Sequence, residues 1–403
     1  MSKSIRRIKD PSTYIKDLRG YLHKQYIDAI TVEHRSNNPK RDYLFVNKLQ
    51  CKHIPSSPTK MIEMCDDLAN DLILDGNILV IGFAETATAI GSILAERIEN
   101  IYNNVYVTHT TREEVENCLE LLKFEEEHSH ATTQKLLVRK RFNIDNFDTI
   151  LFVEDEISTG NTILNFVNKF REQYGIEMDF YVASICNWQS PDNQRRFLDA
   201  DIYSNALIYG HMKNVNAKMF TPDTVELLDS SRKSVNWHKS KIYDFSEENK
   251  DKNNDSVFTN ERLGHNKITE VPNLDKILEL CNNTKAETIR VIGTEEFMTI
   301  PIKVGAELEK QGKTVLCHST TRSKIDVIKD SLFDGQGSGI KSRHKVESFY
   351  EDERNTYIYN LEEKVDLTLV LSDTPNKEQF DKAIDSLSKA IGYNTDKIIG
   401  IRL

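Results

Sequence analysis

The stretch Ile150–Thr162 reads ILFVEDEISTGNT and gives the clearest indication of the fold. Its opening residues form a continuous apolar run, which is typical of a strand buried on both faces of a parallel sheet. The small residues of Ser158–Thr162 come next, and apolar residues then recur at helical spacing from Ile163 to Phe170. The stretch therefore predicts a strand, a tight turn and a helix, the repeating unit of an α/β fold.

The same alternation continues outward along the chain. Asn77–Phe83 and Phe180–Ile185 are short apolar runs that predict further strands, and the first leads into a helical pattern from Ile90 to Ile98. We therefore expect residues 1–230 to form an α/β domain with a parallel sheet flanked by helices.

Composition excludes several classes of protein. The chain has 403 residues and a net charge of −10, which argues against a protein that coats nucleic acid, because phosphate binding needs clustered Lys and Arg. The six cysteines form no C-x-x-C pair, which argues against a disulfide scaffold or a zinc module and favours a reducing compartment. No apolar run approaches the roughly 20 residues of a membrane helix. We expect a cytoplasmic protein with no membrane partner.

A second α/β domain is predicted over residues 263–403. It is preceded by residues 231–262, whose core EENKDKNNDS has no apolar residue and predicts a solvated linker. The second domain repeats a VIG triplet, a glutamate and a TTR triplet at similar offsets, namely 80–82, 85 and 110–112 in the first domain and 291–293, 296 and 320–322 in the second. This pattern predicts a degenerate repeat, with coincidence between two α/β units as the alternative.

The acidic residues Glu154 and Asp155 stand where the central strand ends, and open α/β sheets bind ligands at that edge. Backbone amides and hydroxyls of the following loop are suited to cradling a phosphate; the loop consists of Ser158, Thr159, Gly160, Asn161 and Thr162. Carboxylates beside a phosphate cradle make sense for a sugar phosphate, because they accept hydrogen bonds from vicinal ribose hydroxyls. An ordinary strand–turn–helix with surface acids is the alternative.

This order of apolar residues, two acidic residues and a small-residue loop resembles the phosphoribosyl-pyrophosphate motif of type I phosphoribosyltransferases. The resemblance implies a parallel sheet flanked by helices and transfer of 5-phosphoribose from phosphoribosyl pyrophosphate to a nitrogenous base or base-like acceptor, with release of pyrophosphate. It also implies Mg²⁺ as cofactor, held at Asp155. Two alternatives remain: a non-catalytic regulator that senses phosphoribosyl pyrophosphate or nucleotides, and a scaffold of a stress-response biosynthetic complex.

The resemblance assigns further residues. It implies a pyrophosphate-binding loop after the first strand, formed by Phe83, Ala84, Glu85, Thr86 and Ala87, and a basic contact to pyrophosphate from Arg112. Trp188 stands near the position where relatives stack the nucleobase, and core packing explains a tryptophan there equally well.

The region between Thr111 and Arg139 stands where the family has its mobile catalytic loop. It contains FEEEHSHA, and the resemblance implies that a group moving a proton lies among Glu127, His128 and His130. A solvated charged loop and a metal site at the histidines are the alternatives. Near the N-terminus, residues 37–58 are a candidate hood over the base, with Lys52 as a ligand contact or a solvent-facing turn residue.

The segments GFAETATAIG, FEEEHSHA and VEDEISTGNT are similar to one branch of the family, the phosphoribosyltransferases of tellurite-resistance and stress-response gene clusters. The second domain resembles the TRSP domain of that branch through Cys317–Asp326 and Ser348–Leu361, although Lys324 replaces the proline of the motif. The implied partners are phosphoribosyl pyrophosphate, a small nitrogenous acceptor and either a second copy or proteins of a biosynthetic cluster. In this domain we expect the acidic pair and the phosphate cradle to be lost. Four other residues are candidates to contact an anion or to cover the first active site, with plain surface residues as the alternative: Arg322, Arg343, Arg354 and Tyr357.

Overall fold

The structure is a computed structural model that describes residues 24–35, 41, 43–102, 104–125, 133–175, 178–210, 240–251, 253, 255–266, 270–327 and 338–403. These residues form two compact units. The first is drawn from Met1–Asp28, Glu63–Met219 and Thr259–Ile268, and the second from Ala29–Ile62, Phe220–Phe258 and Thr269–Leu403. Each unit thus combines separate stretches of the chain, and the hood candidate groups with the second unit.

The first unit contains a seven-stranded sheet in the order β5-β6-β4-β3-β7-β8-β9. Its strands are β3 (Ile78–Gly82), β4 (Val105–Thr111), β5 (Cys118–Glu125), β6 (Thr133–Arg139), β7 (Thr149–Ile157), β8 (Asp179–Asn187) and β9 (Ile202–Tyr209). The neighbouring strands β4, β3, β7, β8 and β9 pair in parallel. Strands β5 and β6 form an antiparallel hairpin, and β6 pairs antiparallel with β4. The predicted parallel sheet is confirmed, and part of the predicted loop between Thr111 and Arg139 is this hairpin.

The helices follow the expected alternation. Those of the described chain are α1 (Lys24–Asp28), α2 (Pro58–Asn70), α3 (Thr88–Glu99), α4 (Asn161–Tyr174), α5 (Pro191–Asp199), α6 (Val257–Leu263), α7 (Leu274–Asn282), α8 (Thr299–Lys310) and α9 (Lys377–Ile391). Among the described residues, none of these helices is both long and apolar enough to cross a bilayer.

The core of the first unit lies between β7 and α4. Phe152 of β7 packs edge-on against Phe166 of α4 and stacks with Phe180 of β8, and all three side chains are fully buried. Each such side chain contributes roughly 1.5–3 kcal/mol through burial. This packing holds the carboxyl end of β7 and the start of α4 in place.

The second unit contains a five-stranded parallel sheet in the order β10-β16-β15-β11-β12. Its strands are β10 (Lys241–Asp244), β11 (Thr288–Gly293), β12 (Thr314–Ser319), β15 (Val365–Ser372) and β16 (Thr395–Arg402). Two antiparallel hairpins accompany the sheet, β1–β2 (Ile30–His34 and Tyr43–Asn47) and β13–β14 (Arg343–Glu347 and Asn355–Tyr359).

Part of the expected linker is regular structure. Lys241–Asp244 pairs with Ile399–Arg402 as an edge strand, and the Arg402 guanidinium lies 2.7 Å from an Asp244 carboxylate oxygen. The strand is four residues long, which is too short for a period-two pattern to be recognised in the sequence. The polar core of that segment, by contrast, has no described helix or strand.

The two sheets share one plan. In the first unit the parallel strands lie in the order β4-β3-β7-β8, and in the second in the order β12-β11-β15-β16. In both, a helix follows the first strand and an antiparallel hairpin separates the second strand from the third. The second threonine of each TTR triplet bridges to its hairpin, Thr111 to Lys135 and Thr321 to Tyr357. This agreement supports the degenerate repeat.

Candidate active site at the carboxyl edge of the first sheet

Strand β7 carries both predicted carboxylates at its carboxyl end, between β3 and β8. Glu154 and Asp155 are half-buried, and Glu154 pairs in register with Ser184. Because side chains alternate along a strand, Glu154 shares the side of Phe152, which faces Phe166 of α4, and Asp155 projects to the other side. A ligand seated across this edge would meet one carboxylate on each side.

The turn after β7 leads directly into α4. Thr159 Oγ1 accepts a hydrogen bond from the Asn161 amide at 3.3 Å, and Gly160 precedes the helix with a positive φ of 77°. The first amides of a helix have no partner within it and carry the positive end of the helix dipole. Ser158, Thr159 and Thr162 are half-buried, so this turn offers accessible donors to an anion.

A second loop, Phe83–Ala87, follows β3 at the same edge. The Ala84 amide donates to Thr110 Oγ1 at 2.8 Å, and the Ala84 carbonyl accepts from Gln134 Nε2 at 3.0 Å. Thr110 Oγ1 also donates to Gln134 Oε1. Both backbone polar groups of Ala84 are thus held, the amide by β4 and the carbonyl by β6. The Ala84–Glu85 peptide bond is cis.

Gln134 is a site residue that the sequence analysis missed. Its side chain is fully buried, yet it lies on a hairpin strand within the region that the resemblance assigns to a mobile loop. A glutamine in a strand of mixed polarity gives no signal of its own. Only the pairing of β6 with β4 brings it against the loop after β3.

Arg112 directly follows β4 and is half-buried. Strands β3, β4 and β7 are parallel neighbours, so their carboxyl ends share one edge. The structure therefore brings to this edge the predicted pyrophosphate loop, Arg112 and the acid-bearing strand.

Trp188 follows β8, and its indole is buried against Gly210, where any side chain would collide with the ring. Cys186 lies two residues before it. Burial raises the pKa of the Cys186 thiol, and the charges of Glu156 and Asp155 raise it further. The thiol is therefore protonated at neutral pH, which excludes it as a thiolate nucleophile.

Glu127, His128 and His130 lie outside the described residues. They fall between Glu125, where β5 ends, and Thr133, where β6 begins. Their predicted role in proton transfer stays a prediction.

The donor set suits a metal held mainly by its substrate. No group of three or more His, Cys, Asp or Glu side chains able to hold a metal occurs within the described ranges. Asp155 supplies one half-buried carboxylate at the edge. Mg²⁺ in phosphate-handling sites is bound by one or two carboxylates together with substrate phosphates, so this arrangement fits Mg²⁺ delivered with a diphosphate.

A cavity of about 640 Å³ lies at the opposite edge of the sheet. Asn77, Val105 and Asp148 line it, and each stands at or just before the amino end of a strand. None of the predicted site residues lines this cavity.

The candidate anion-binding residues of the second unit do not form one set. Arg322 and Arg354 both contact the Glu295 carboxylate, at 2.7 and 3.0 Å. Arg343 instead contacts Asp326 at 2.8 Å, and its guanidinium carbon lies 5.9 Å from the ring centre of Tyr357.

Two family models match the chain. A model described as phosphoribosyl transferase matches residues 30–208, and the TRSP domain that stands C-terminal to it matches residues 261–387. The chain joins a phosphoribosyl transferase domain to a TRSP domain. The match to the phosphoribosyl transferase domain contains the loops after β3 and β7, Arg112 and both carboxylates. The chain matches no curated protein sequence.

Solved structures similar to this chain include adenine phosphoribosyltransferases. The enzyme from Rhodothermus marinus has 13% identity and a TM-score of 0.34, with 47% of this chain and 99% of that chain covered. The enzyme from Trypanosoma brucei, in complex with AMP, pyrophosphate and ribose-5-phosphate, has 12% identity and a TM-score of 0.33, with 50% and 88% covered. The enzyme from Leishmania donovani has 11% identity and a TM-score of 0.34, with the same coverage.

Proposed function

We propose that the first unit transfers the 5-phosphoribosyl group of phosphoribosyl pyrophosphate to a nitrogenous base or base-like acceptor and releases pyrophosphate. The observation that carries the proposal is the shared edge of β3, β4 and β7 within a phosphoribosyl transferase domain. That edge presents a backbone loop, an arginine, two carboxylates and an open helix start.

Each part of the substrate meets a complementary group: donors and positive charge face the phosphates, and acceptors face the ribose hydroxyls. The turn Ser158–Thr162 holds the 5-phosphate through backbone amides and hydroxyls. Glu154 and Asp155 accept hydrogen bonds from the ribose hydroxyls. The loop Phe83–Ala87 and Arg112 surround the pyrophosphate, since a guanidinium binds phosphate oxygens with two parallel donors.

Mg²⁺ neutralises charge on the diphosphate when bound and so makes it a better leaving group. Asp155 would hold the metal, with substrate phosphate oxygens as its other ligands. As the bond from C1 to the pyrophosphate oxygen breaks, positive charge develops on the ribose. The negative charges of Glu154 and Asp155 stabilise that charge electrostatically. The acceptor nitrogen forms the new bond to C1 and loses its proton to Glu127, His128 or His130.

The test is release of pyrophosphate from phosphoribosyl pyrophosphate with Mg²⁺ across a panel of nucleobases and small aromatic amines. Release that depends on one acceptor supports the enzyme and names its substrate class. Tight binding measured by calorimetry without release favours the sensor. The absence of both binding and release would reject the proposal.

Asp155→Asn is expected to lower kcat by about a hundredfold or more while changing substrate affinity far less, because the lost charge acts mainly on the oxocarbenium-like transition state. Steady-state kinetics and calorimetric binding separate the two effects. Asp179→Asn is the matched control, since Asp179 is exposed at the amino end of β8, and should behave as wild type. An unchanged kcat in Asp155→Asn would contradict the assigned role.

A further inference from the structure

The second sheet has an edge equivalent to the candidate active-site edge, and the equivalence extends to single hydrogen bonds. The Glu295 amide donates to Thr320 Oγ1 at 3.1 Å, as the Ala84 amide donates to Thr110 Oγ1 at 2.8 Å. Both pairs join the loop after the first strand to the first threonine of the TTR triplet. Glu295 therefore occupies the position of Ala84.

Glu295 differs from Ala84 in carrying a carboxylate, and its side chain is fully buried. One oxygen, Oε2, accepts from Arg322 Nε at 2.7 Å and from Arg354 Nη1 at 3.0 Å. The other oxygen, Oε1, accepts from Ser348 Oγ at 2.5 Å. Arg322 ends the second TTR triplet and is thus the counterpart of Arg112.

The rest of this edge is also filled by the chain. Asp373 follows β15 as Asp155 lies at the end of β7, but Asp373 is only 1% exposed. Its Oδ1 accepts from the Tyr350 hydroxyl at 2.6 Å, and that hydroxyl lies 2.7 Å from Thr294 Oγ1. In the first unit Asp155 is half-buried.

Two partly buried guanidinium groups that converge on one point favour an anion there, because each has lost part of its hydration and an opposite charge compensates for it. Paired guanidiniums of this kind bind carboxylate or phosphate oxygens in many proteins. In the second unit the anion belongs to the chain itself.

We propose that the carboxyl edge of the second sheet is an anion-binding site filled by the Glu295 carboxylate, so that the second unit takes up no diphosphate or phosphoribosyl pyrophosphate there. Removal of the carboxylate opens the site to a small carboxylate or phosphate. This inference does not rest on the activity proposed for the first unit.

Chemical rescue of Glu295→Ala in the full chain tests the inference. Acetate is the fragment that the substitution removes. Amide hydrogen exchange is followed in the loops Thr294–Phe297 and Thr320–Arg322. We expect exchange there to rise about tenfold or more in the variant, because the two guanidiniums lose the carboxylate that they share. Exchange should return toward wild type with added acetate or phosphate but not with chloride at equal ionic strength.

Two further variants serve as controls. Glu351→Ala removes an exposed carboxylate that also contacts Arg354, and we expect it to leave exchange in both loops unchanged and insensitive to acetate. The double variant Glu295→Ala with Arg322→Met should lose the acetate response, because one of the two guanidiniums is gone.

Equal effects of acetate and chloride on Glu295→Ala would overturn the inference. So would protection of these loops by pyrophosphate in the wild-type chain, because Glu295 would then yield to an external ligand. If Glu295→Ala does not fold, Glu295→Gln is used, which keeps the volume and removes the charge. In Glu295→Gln, faster exchange in both loops without an acetate response supports the inference, because the glutamine side chain still fills the space. Exchange at the wild-type rate in this variant overturns it.

Discussion

Gly160 is the residue on which the turn after β7 depends, because two constraints meet there. Its φ of +77° lies in the region that side chains disfavour. A Cβ at this position would also lie 2.6 Å from Gln189 Nε2 and collide with the ring of Phe197. The tight packing that shapes the turn therefore leaves no room for any other residue.

Gly160→Ala is expected to destabilise the first unit by clearly more than Gly175→Ala and to weaken binding of phosphoribosyl pyrophosphate. Gly175 at the other end of α4 is a matched control, since its φ is +63° but a Cβ there meets nothing within 4 Å. The control should cost only the backbone strain of about 1–2 kcal/mol. Urea unfolding and calorimetric titration measure both effects, and equal losses in the two variants would contradict the packing argument.

His318 is expected to make the stability of the second unit depend on pH. Burial holds the pKa of this fully buried imidazole well below its ordinary value, and the charge of Arg290 lowers it further. His318 is therefore neutral in the folded chain, whereas the unfolded chain takes up a proton as the pH falls through about 6.5. The folded state therefore has its full stability with respect to this group above that pH. Below it, the free energy of unfolding decreases by up to about 1.4 kcal/mol per pH unit.

Urea unfolding of the second unit between about pH 8 and about pH 5 measures the slope of the unfolding free energy against pH. In His318→Phe this slope should decrease by the amount that corresponds to uptake of one proton on unfolding. His265→Gln, at a half-buried histidine of the first unit, should leave the slope unchanged. A slope that survives in His318→Phe would assign the pH dependence to another group.

At the scale of elements, the β5–β6 hairpin supports the loop after β3. Thr110 of β4 accepts from the Ala84 amide, and Gln134 of β6 donates to the Ala84 carbonyl. The chain segment with the predicted proton-transfer residues connects the two strands of the same hairpin. The hairpin therefore links that segment to the loop predicted to bind pyrophosphate.

Gln134→Leu is expected to raise the KM for phosphoribosyl pyrophosphate at least about fivefold, because it leaves the buried Ala84 carbonyl without its donor, a loss of about 1–3 kcal/mol. Lys123→Gln, an exposed position on the same hairpin, is the control and should leave KM unchanged. Steady-state kinetics at varied substrate concentration provide the measurement. An unchanged KM in Gln134→Leu would show that the loop keeps its shape without this contact.

At the scale of the whole molecule, each unit draws on distant parts of the chain. Lys52 shows how an early segment belongs to the second unit. Its ammonium group donates to the Glu295 carbonyl at 2.6 Å, to Ser319 Oγ at 3.2 Å and to the Thr320 carbonyl at 3.2 Å. The side chain is only 1% exposed, so it is neither a solvent-facing turn residue nor part of the first unit.

Lys52→Met is expected to lower the stability of the second unit by about 2–4 kcal/mol, because three buried acceptors lose a charged donor. Lys60→Met, at an exposed position, is the control and should change stability little. Hydrogen exchange of β11 and β12 reports on this unit specifically. Wild-type protection of those strands in Lys52→Met would contradict the contact.

Local patterns in the sequence were sufficient to predict the elements around the active-site edge. Apolar runs predicted β3, β7 and β8, helical spacing predicted α3 and α4, and the small residues after β7 predicted the turn at Gly160. Each of these is a local property, since a short apolar run or a period of 3.6 residues states which side chains are buried.

The partners of those buried side chains emerge only when the elements pack together. The tertiary structure placed Gln134 against Ala84, Lys52 in the second unit, β10 at the edge of the second sheet and Glu295 between two arginines. These contacts join residues far apart in the chain, and periodicity carries no information about the partner across such a distance. A pattern of burial identifies a face, and only the packing of elements chooses what covers it.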